Sequence, residues 1–319
     1  MDPAENKTTK TPGITGQCLK VIAVVSMIID HIGYAIVIRL PAAADTGSLT
    51  SVVYTTLRMI GRFAFPIYCF LLIEGICHTR NTGRYAFRLF IFALASEIPF
   101  DLAFYGQVFY FDHQNVFFTL CIALLMLWAF KLIDDTEDGR LPRILLRVSV
   151  MVIPPAYVAW RIGYLLLERI KLSLNPVIVY PVCAIAAMIV ITVFVTRTAG
   201  KYNERTALIL CADLIVLSFA AFAADILMTD YKAAGIIAIA LMYLYKNDNV
   251  SRIIYGTVAL TVLSSPTEAF AFLDAIPASF YNGRRGKGTK YLFYVVYPLH
   301  LLILYLIARY LGLWKPTVL

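Results

Sequence analysis

Asp30 and His31 stand side by side inside an apolar run, SMIIDHIGYAIV at 26–37, and rare polar residues recur in similar surroundings further along. The next apolar stretch, LRMIGRFAFPIYCFLLIEG, carries Arg58, Arg62 and Glu74; RYAFRLFIFALASEIPFDLAFYG carries Arg88, Glu97 and Asp101; VVYPLHLLILYL carries His300. Histidine changes charge near neutral pH and can take and give protons. Arginine stays charged and steadies a negative charge developing beside it. Together these types permit proton transfer at a reacting group, or a pathway along which protons or a charged solute move.

The elements that must position them are membrane helices. Hydrophobic residues make up 60% of the 319 and charged residues only 15%, with mean hydropathy +0.75, whereas a soluble domain carries roughly 25% charged residues. Crossing a bilayer takes about 20 helical residues. Apolar stretches of that order fall near 18–40, 52–77, 84–105, 115–133, 143–166, 175–196, 206–228 and 233–246, with a divided stretch at 252–280 and a last one at 290–312. They do not alternate as barrel strands would. The expected fold is an all-α, polytopic helical bundle of about ten transmembrane helices, residues 18–313, behind a polar segment, 1–17, that lacks the apolar core and cleavage site of a removable signal peptide.

Lys and Arg cluster at Lys7, Lys10 and Lys20, at Arg80 and Arg84, at Lys131, Arg140 and Arg143, and at Arg197, Lys201 and Arg205, whereas residues 106–114 have none. The positive-inside rule then expects a cytoplasmic N-terminus in an inner, cytoplasmic membrane. Arg161, Arg169 and Lys171 fall on the wrong side of this scheme. The basic loop YNGRRGKGTK at 281–290 lies outside if 252–280 is one span and inside if SSPTE at 264–268 breaks it. The net charge of +8 fits connections facing anionic lipid headgroups, and no nucleic-acid motif accompanies it. Six cysteines show no CxxC pair, so neither a disulfide nor a metal cluster is expected. No connection is long enough for a soluble domain, and no Walker-type or GxGxxG phosphate loop occurs.

A charge at the bilayer centre costs at least about 2.5 kcal/mol, so each buried polar group needs a partner. Asp30 and His31 point about 100° apart on a helix and cannot pair with each other. Arg58 and Arg62, one turn apart with Gly61 between them, are the expected partners of Asp30; they either neutralise acids or touch a substrate. Glu97 and Asp101 share a face if the helix stays regular, with Pro99 expected to kink it.

The ordered blocks LKVIAVVSMIIDHIGYAI, LRMIGRFAFPIYCFLLIEGICHTRNTGRYAFRLFIFALASEIPFDL, NVFFTLCIALLML and YNGRRGKGTKYLFYVVYPLHLLILYLI resemble the TraX family of membrane proteins over roughly 18–130 and 225–310. TDYKAAGI at 229–236 resembles the family's DYG segment, with Lys232 where glycine is usual. The resemblance implies an acetyltransferase using cytoplasmic acetyl-CoA as donor, linked to N-terminal acetylation of a pilin subunit in conjugation. The motif positions are Asp30, His31, Arg62, Glu74, His78, Arg80, Arg88, Glu97, Asp101 and His300.

Acetyl transfer from a thioester needs a base and oxyanion donors. His31 is the first candidate base or transient acetyl carrier, with His300 its rival; Arg62, backed by Arg58, is the candidate oxyanion stabiliser, Glu97 orients an amine, and Asp101 and Arg88 flank the substrate. Donor phosphates would favour Arg80 and Arg84, or Arg284, Arg285 and Lys287 if their loop is internal. Expected partners are membrane lipids, acyl-CoA and a pilin-like or envelope acceptor, with no nucleic acid; oligomeric state is open. A secondary transporter using the same buried Asp, His, Arg and Glu is the alternative, against which stands the lack of an internal repeat. A non-catalytic conjugation assembly factor is the third class.

Overall fold

Thr15 starts the first helix of the computed structural model by accepting the Cys18 backbone N–H on its side chain, and α1 runs Gly16–Ala35. The structure describes residues 13–45, 47–137, 139–286 and 292–313, all α, 3-10 or π helix and connections apart from isolated bridges. Ser48 caps α2, Leu49–Gly61, which stops at Arg62, and α3, Ala64–His78, resumes with Pro66 in its first turn, where proline's missing N–H costs nothing. Next comes α4, Thr82–Phe104, which runs on through Pro99, so Glu97 and Asp101 stay on one helix.

Asn115 caps α5, Val116–Asp134. The span expected at 143–166 is present but divided into two helices, α6, Arg143–Val150, and α7, Ile153–Tyr164; Pro154 and Pro155 cannot continue an upstream helix but open a new one. Asn175 caps α8, Pro176–Lys201, and Asn203 caps α9, Glu204–Ile226. They are followed by α10, Lys232–Leu244, and α11, Asn249–Leu263, the latter capped by Asp248. Beyond Ser265 a 3-10 segment, Pro266–Asp274, leads into the short α12, Ala275–Ser279, and α13, Leu292–Tyr310, closes the described chain.

Among the described residues, six stretches are long and apolar enough to cross a membrane: Gly16–Arg39, Leu49–His78, Val116–Asp134, Arg143–Arg169, Pro176–Lys201 and Glu204–Ile226. The 13 residues of α10 and 15 of α11 reach only roughly 20 Å and 22 Å at 1.5 Å per residue, short of a core about 30 Å thick. The stretch 252–280 is broken at Ser264–Ser265, as the SSPTE reading has it.

The chain forms two compact units, one from the described parts of Met1–Thr79, Arg88–Phe111 and Leu241–Leu319, the other from Arg80–Phe87 and Asp112–Ala240. In the second unit, Val150, Val195, Ala207 and Cys211 make a buried cluster, and Arg161 lies 3.1 Å from the Asp225 carboxylate, which compensates one of the cations that disobeys the positive-inside pattern. In the first unit α1, α2 and α3 pack together, and the loop at 281–286 lies against the start of α1. The Gly16 and Gln17 N–H groups donate to the carbonyls of Arg284 and Arg285 at 2.9 and 3.0 Å, and Asn282 N donates to Ile14 O at 3.0 Å. That loop is therefore on the same side as the N-terminal end of α1. At the far end, Arg39 donates to the carbonyls of Ala103 and Phe104, so the end of α4 lies beside the end of α1.

Candidate active site

The two rival histidines lie together. His31, half-buried on α1, and His300, buried on α13, place Nδ1 and Nε2 respectively 2.7 Å apart. Ring planes differ by 7° and centroids are 5.0 Å apart, longer than the N···N distance by about the width of a ring. The imidazoles therefore meet edge to edge in one plane. His300 Nδ1 lies 2.8 Å from the Val296 carbonyl.

A carbonyl only accepts, so His300 Nδ1 carries a proton, and in the neutral ring Nε2 is then an acceptor. His31 Nδ1–H must fill it. This hydrogen-bond chain assigns the tautomer of both rings and leaves the lone pair of His31 on Nε2. Phe104 meets the His31 ring edge-on at 5.1 Å and Tyr297 at 6.1 Å, so aromatic walls hold the imidazole's orientation.

Beside it, Asp30 is 8% exposed and takes both arginines: Arg58 Nη1 at 2.5 Å on one oxygen and Arg62 Nη2 at 3.2 Å on the other. Arg62 Nη1 reaches Glu268 at 2.6 Å, and its Nε donates to the Arg58 carbonyl at 3.1 Å. Arg58 also lies over the Tyr34 ring. Two cations and two carboxylates thus form one neutral chain, the arrangement that makes buried charge tolerable. Close helix approach creates it. A Cβ on Gly61 would fall 2.0 Å from Asp30 Oδ1, and one on Gly33 3.2 Å from Leu57 Cβ.

The remaining predicted residues take other places. Asp101 is buried; its side chain accepts Tyr110 N–H at 2.8 Å, and its carbonyl accepts the N–H groups of Tyr105 and Gly106, so it shapes the chain beyond α4. Glu97 and Arg88 are half-buried on α4. Arg80 and Arg84 are exposed in the second unit, Arg284 and Arg285 are exposed beside the start of α1, and Lys287 lies outside the described residues. Lys20 and Arg285 are near enough to repel each other. The glycines of NGRRGKG serve the loop itself: Gly283 and Gly286 have φ of 72° and 79°, a region that favours glycine.

Glu74, a motif position, is tied to two side chains distant in sequence. Arg252, 2% exposed, donates to it at 2.8 Å, stacks over Phe70 at 4.3 Å and also donates to the Lys246 carbonyl. Tyr281 donates its hydroxyl to the other Glu74 oxygen at 3.2 Å. Burial and the Glu74 carboxylate push the Tyr281 phenol above its ordinary range, so it stays a donor. His78 is exposed beside Glu74.

Sequence reasoning missed Glu268, Arg252 and Arg39. Each is a charge inside or at the edge of an apolar run, the same signal that marks Asp30, and Glu268 was obscured because SSPTE reads first as a helix breaker.

Fold and cluster together define a polytopic helical membrane protein with a hydrogen-bonded histidine pair beside a neutral arginine–carboxylate chain. The chain belongs to the TraX protein family, which matches residues 15–223 and 185–308. It is 26% identical over 295 residues, 90% of this chain and 92% of the other, to a probable fimbrial assembly protein, FimC of serogroup H1, from Dichelobacter nodosus. No solved structure matches it.

Proposed function

We propose that this protein is an integral membrane acetyltransferase that moves the acetyl group of cytoplasmic acetyl-CoA to an amine or hydroxyl acceptor, a pilin-like N-terminus or envelope component, with its own N-terminus in the cytoplasm. The observation that carries the reading is the in-plane histidine pair: the Val296 carbonyl fixes His300, His300 fixes His31, and His31 Nε2 is left as a base. That is the logic by which an oriented imidazole becomes catalytic. The relative's description as a fimbrial assembly protein supports a fibre subunit as the acceptor.

In this reading His31 Nε2 takes a proton from the attacking amine, the C–N bond forms, and the carbonyl oxygen gains charge beside Arg58 and Arg62. The C–S bond then breaks, and the thiolate is protonated by the imidazolium of His31. Starting from an ammonium, one further proton is released. The basic surface of Lys20, Arg284 and Arg285 suits the donor's phosphates. His31 lies 11 to 15 residues along α1 from Lys20 and Gly16, roughly 16 to 22 Å at 1.5 Å per residue, a distance of the order of an extended pantetheine arm.

The test is acetyl-CoA turnover and CoA binding by purified protein in lipid nanodiscs. His31→Ala is expected to lose transfer by about 10³-fold while CoA still binds, and His300→Ala by about 10²-fold, because it frees the His31 tautomer without removing the base. Absence of CoA binding in the wild type, together with proton-driven solute uptake in liposomes, would overturn the enzyme and favour a transporter.

A further inference from the structure

The segment between α11 and α12 holds an acid that the site above does not use. A 3-10 helix has three residues per turn, so positions i, i+3 and i+6 share a face. In Pro266–Asp274 the buried residues are Glu268, Ala271 and Asp274, which fit that spacing. The inward face is thus acid, small residue, acid, with the two carboxylates roughly 12 Å apart along the axis at 2 Å per residue.

Their surroundings differ. Glu268 meets Arg62. Asp274 is 3% exposed, and its Oδ2 accepts no hydrogen bond from any described residue. It occupies the N-cap position of α12 yet makes no capping bond, although aspartate at that position ordinarily does. The packed elements are α2, α3, α11 and α12. The arginines on and beside these elements are engaged elsewhere: Arg58 and Arg62 hold Asp30 and Glu268, and Arg252 holds Glu74. An uncompensated carboxylate so buried is far too costly to persist as an anion.

We infer that Asp274 is a buried proton-binding site, neutral at pH 7, that relays the proton released when an ammonium acceptor is acetylated. The first half rests on burial and the lack of any cation. The second rests on the acetyltransferase reading: the ammonium gives up two protons, one ends on the thiol of CoA, and the other must leave a site walled by apolar helices. Asp274 is on the same face of the same 3-10 segment as Glu268, which touches Arg62, and α12 ends at Ser279, after which the chain reaches Tyr281 and the loop beside α1. Neutral Asp274 first gives its own proton to water on that side, and the carboxylate so formed takes the proton released at the site and is the neutral acid again.

Infrared difference spectroscopy in nanodiscs reads the protonation without any turnover. The carbonyl band of a protonated carboxylic acid is expected at pH 7, absent from Asp274→Asn and present in Asp274→Glu. If Asp274→Asn leaves every such band in place, the proton site is overturned. Transfer by Asp274→Asn is expected to fall about tenfold with unchanged CoA binding and to recover in Asp274→Glu; unchanged transfer with the band lost would overturn the role in proton release. A band assigned to Asp274 in a protein that neither binds CoA nor transfers acetyl would leave the proton site standing and remove the acetyltransferase reading instead.

Discussion

Glu268 shows how a single side chain sets the charge of the site. Asp30 and Glu268 together offset Arg58 and Arg62, so neutralising one acid leaves an excess buried cation, which costs about 3–5 kcal/mol when a buried pair is broken. Glu268→Gln is therefore expected to lower unfolding stability in detergent by about 3 kcal/mol, whereas Arg62→Met combined with Glu268→Leu is expected to lose less than the single variant; chemical denaturation followed by tryptophan fluorescence checks both. A larger loss in the double variant would mean that Arg62 serves Asp30 more than Glu268. Asp248 lies outside the membrane helices and answers differently. Its side chain accepts the N–H groups of Val250 and Ser251 and the Ser251 hydroxyl, and the Ser251 hydroxyl first, then those amides and Arg252, hold its carboxyl below the usual range. A carboxylate depressed in the folded state contributes stability above its unfolded value, about 3.9, and loses it as pH falls through the folded value. Asp248→Ala should thus lower the melting temperature at pH 7, and the gap from wild type should close on acidification.

Among the elements, the crossing of α1 and α2 depends on an absent side chain. Gly61→Ala would set a methyl 2.0 Å from Asp30 Oδ1, where overpacking costs typically 1–3 kcal/mol; the expected outcome is a lower melting temperature and, under the proposed acetyltransferase function, lost transfer with it, since the carboxylate must move off Arg58 and Arg62. The opposite sign is expected at Lys232, which opens α10 with φ of 47°. Left-handed backbone costs a non-glycine residue roughly 1 kcal/mol, so Lys232→Gly should stabilise by about that amount in the same denaturation assay. This backbone conformation supplies the physical reason for glycine at that position in the DYG segment. The sequence made the pairing of Asp30 legible because a charge in lipid must find a countercharge and the next helix offers two. It could not show that His31 and His300 share a hydrogen bond, since 269 positions separate them and helix rotation is set by packing. The divisions at Arg62, at Pro154 and at Ser264 illustrate the same limit: hydropathy reports apolar content over a window, while a break is decided by one or two residues. Shortness of α10 and α11 was hidden for that reason too.

At the scale of the molecule, the basic loop decides which side the donor would approach from. Its hydrogen bonds to Ile14, Gly16 and Gln17 tie residues 281–286 to the N-terminal end of α1, while Arg39 ties the far end of α1 to the end of α4 and the uncharged 106–111 connection beyond it. Positions 284 and 107 therefore lie at opposite ends of α1, which with its continuation to Arg39 is 24 residues long, roughly 36 Å. In a cysteine-free background, Arg284→Cys and Gln107→Cys each place an exposed thiol at one of these ends. An impermeant maleimide added to intact cells is expected to label position 107 and to reach position 284 only after the membrane is opened, because Lys20, Arg284 and Arg285 on one face oppose translocation. The reverse pattern would keep the packing and invert the orientation, putting the basic surface out of reach of cytoplasmic acetyl-CoA and removing the reason to assign it to the donor. Labelling of both from outside would contradict the packing of the loop on α1 itself.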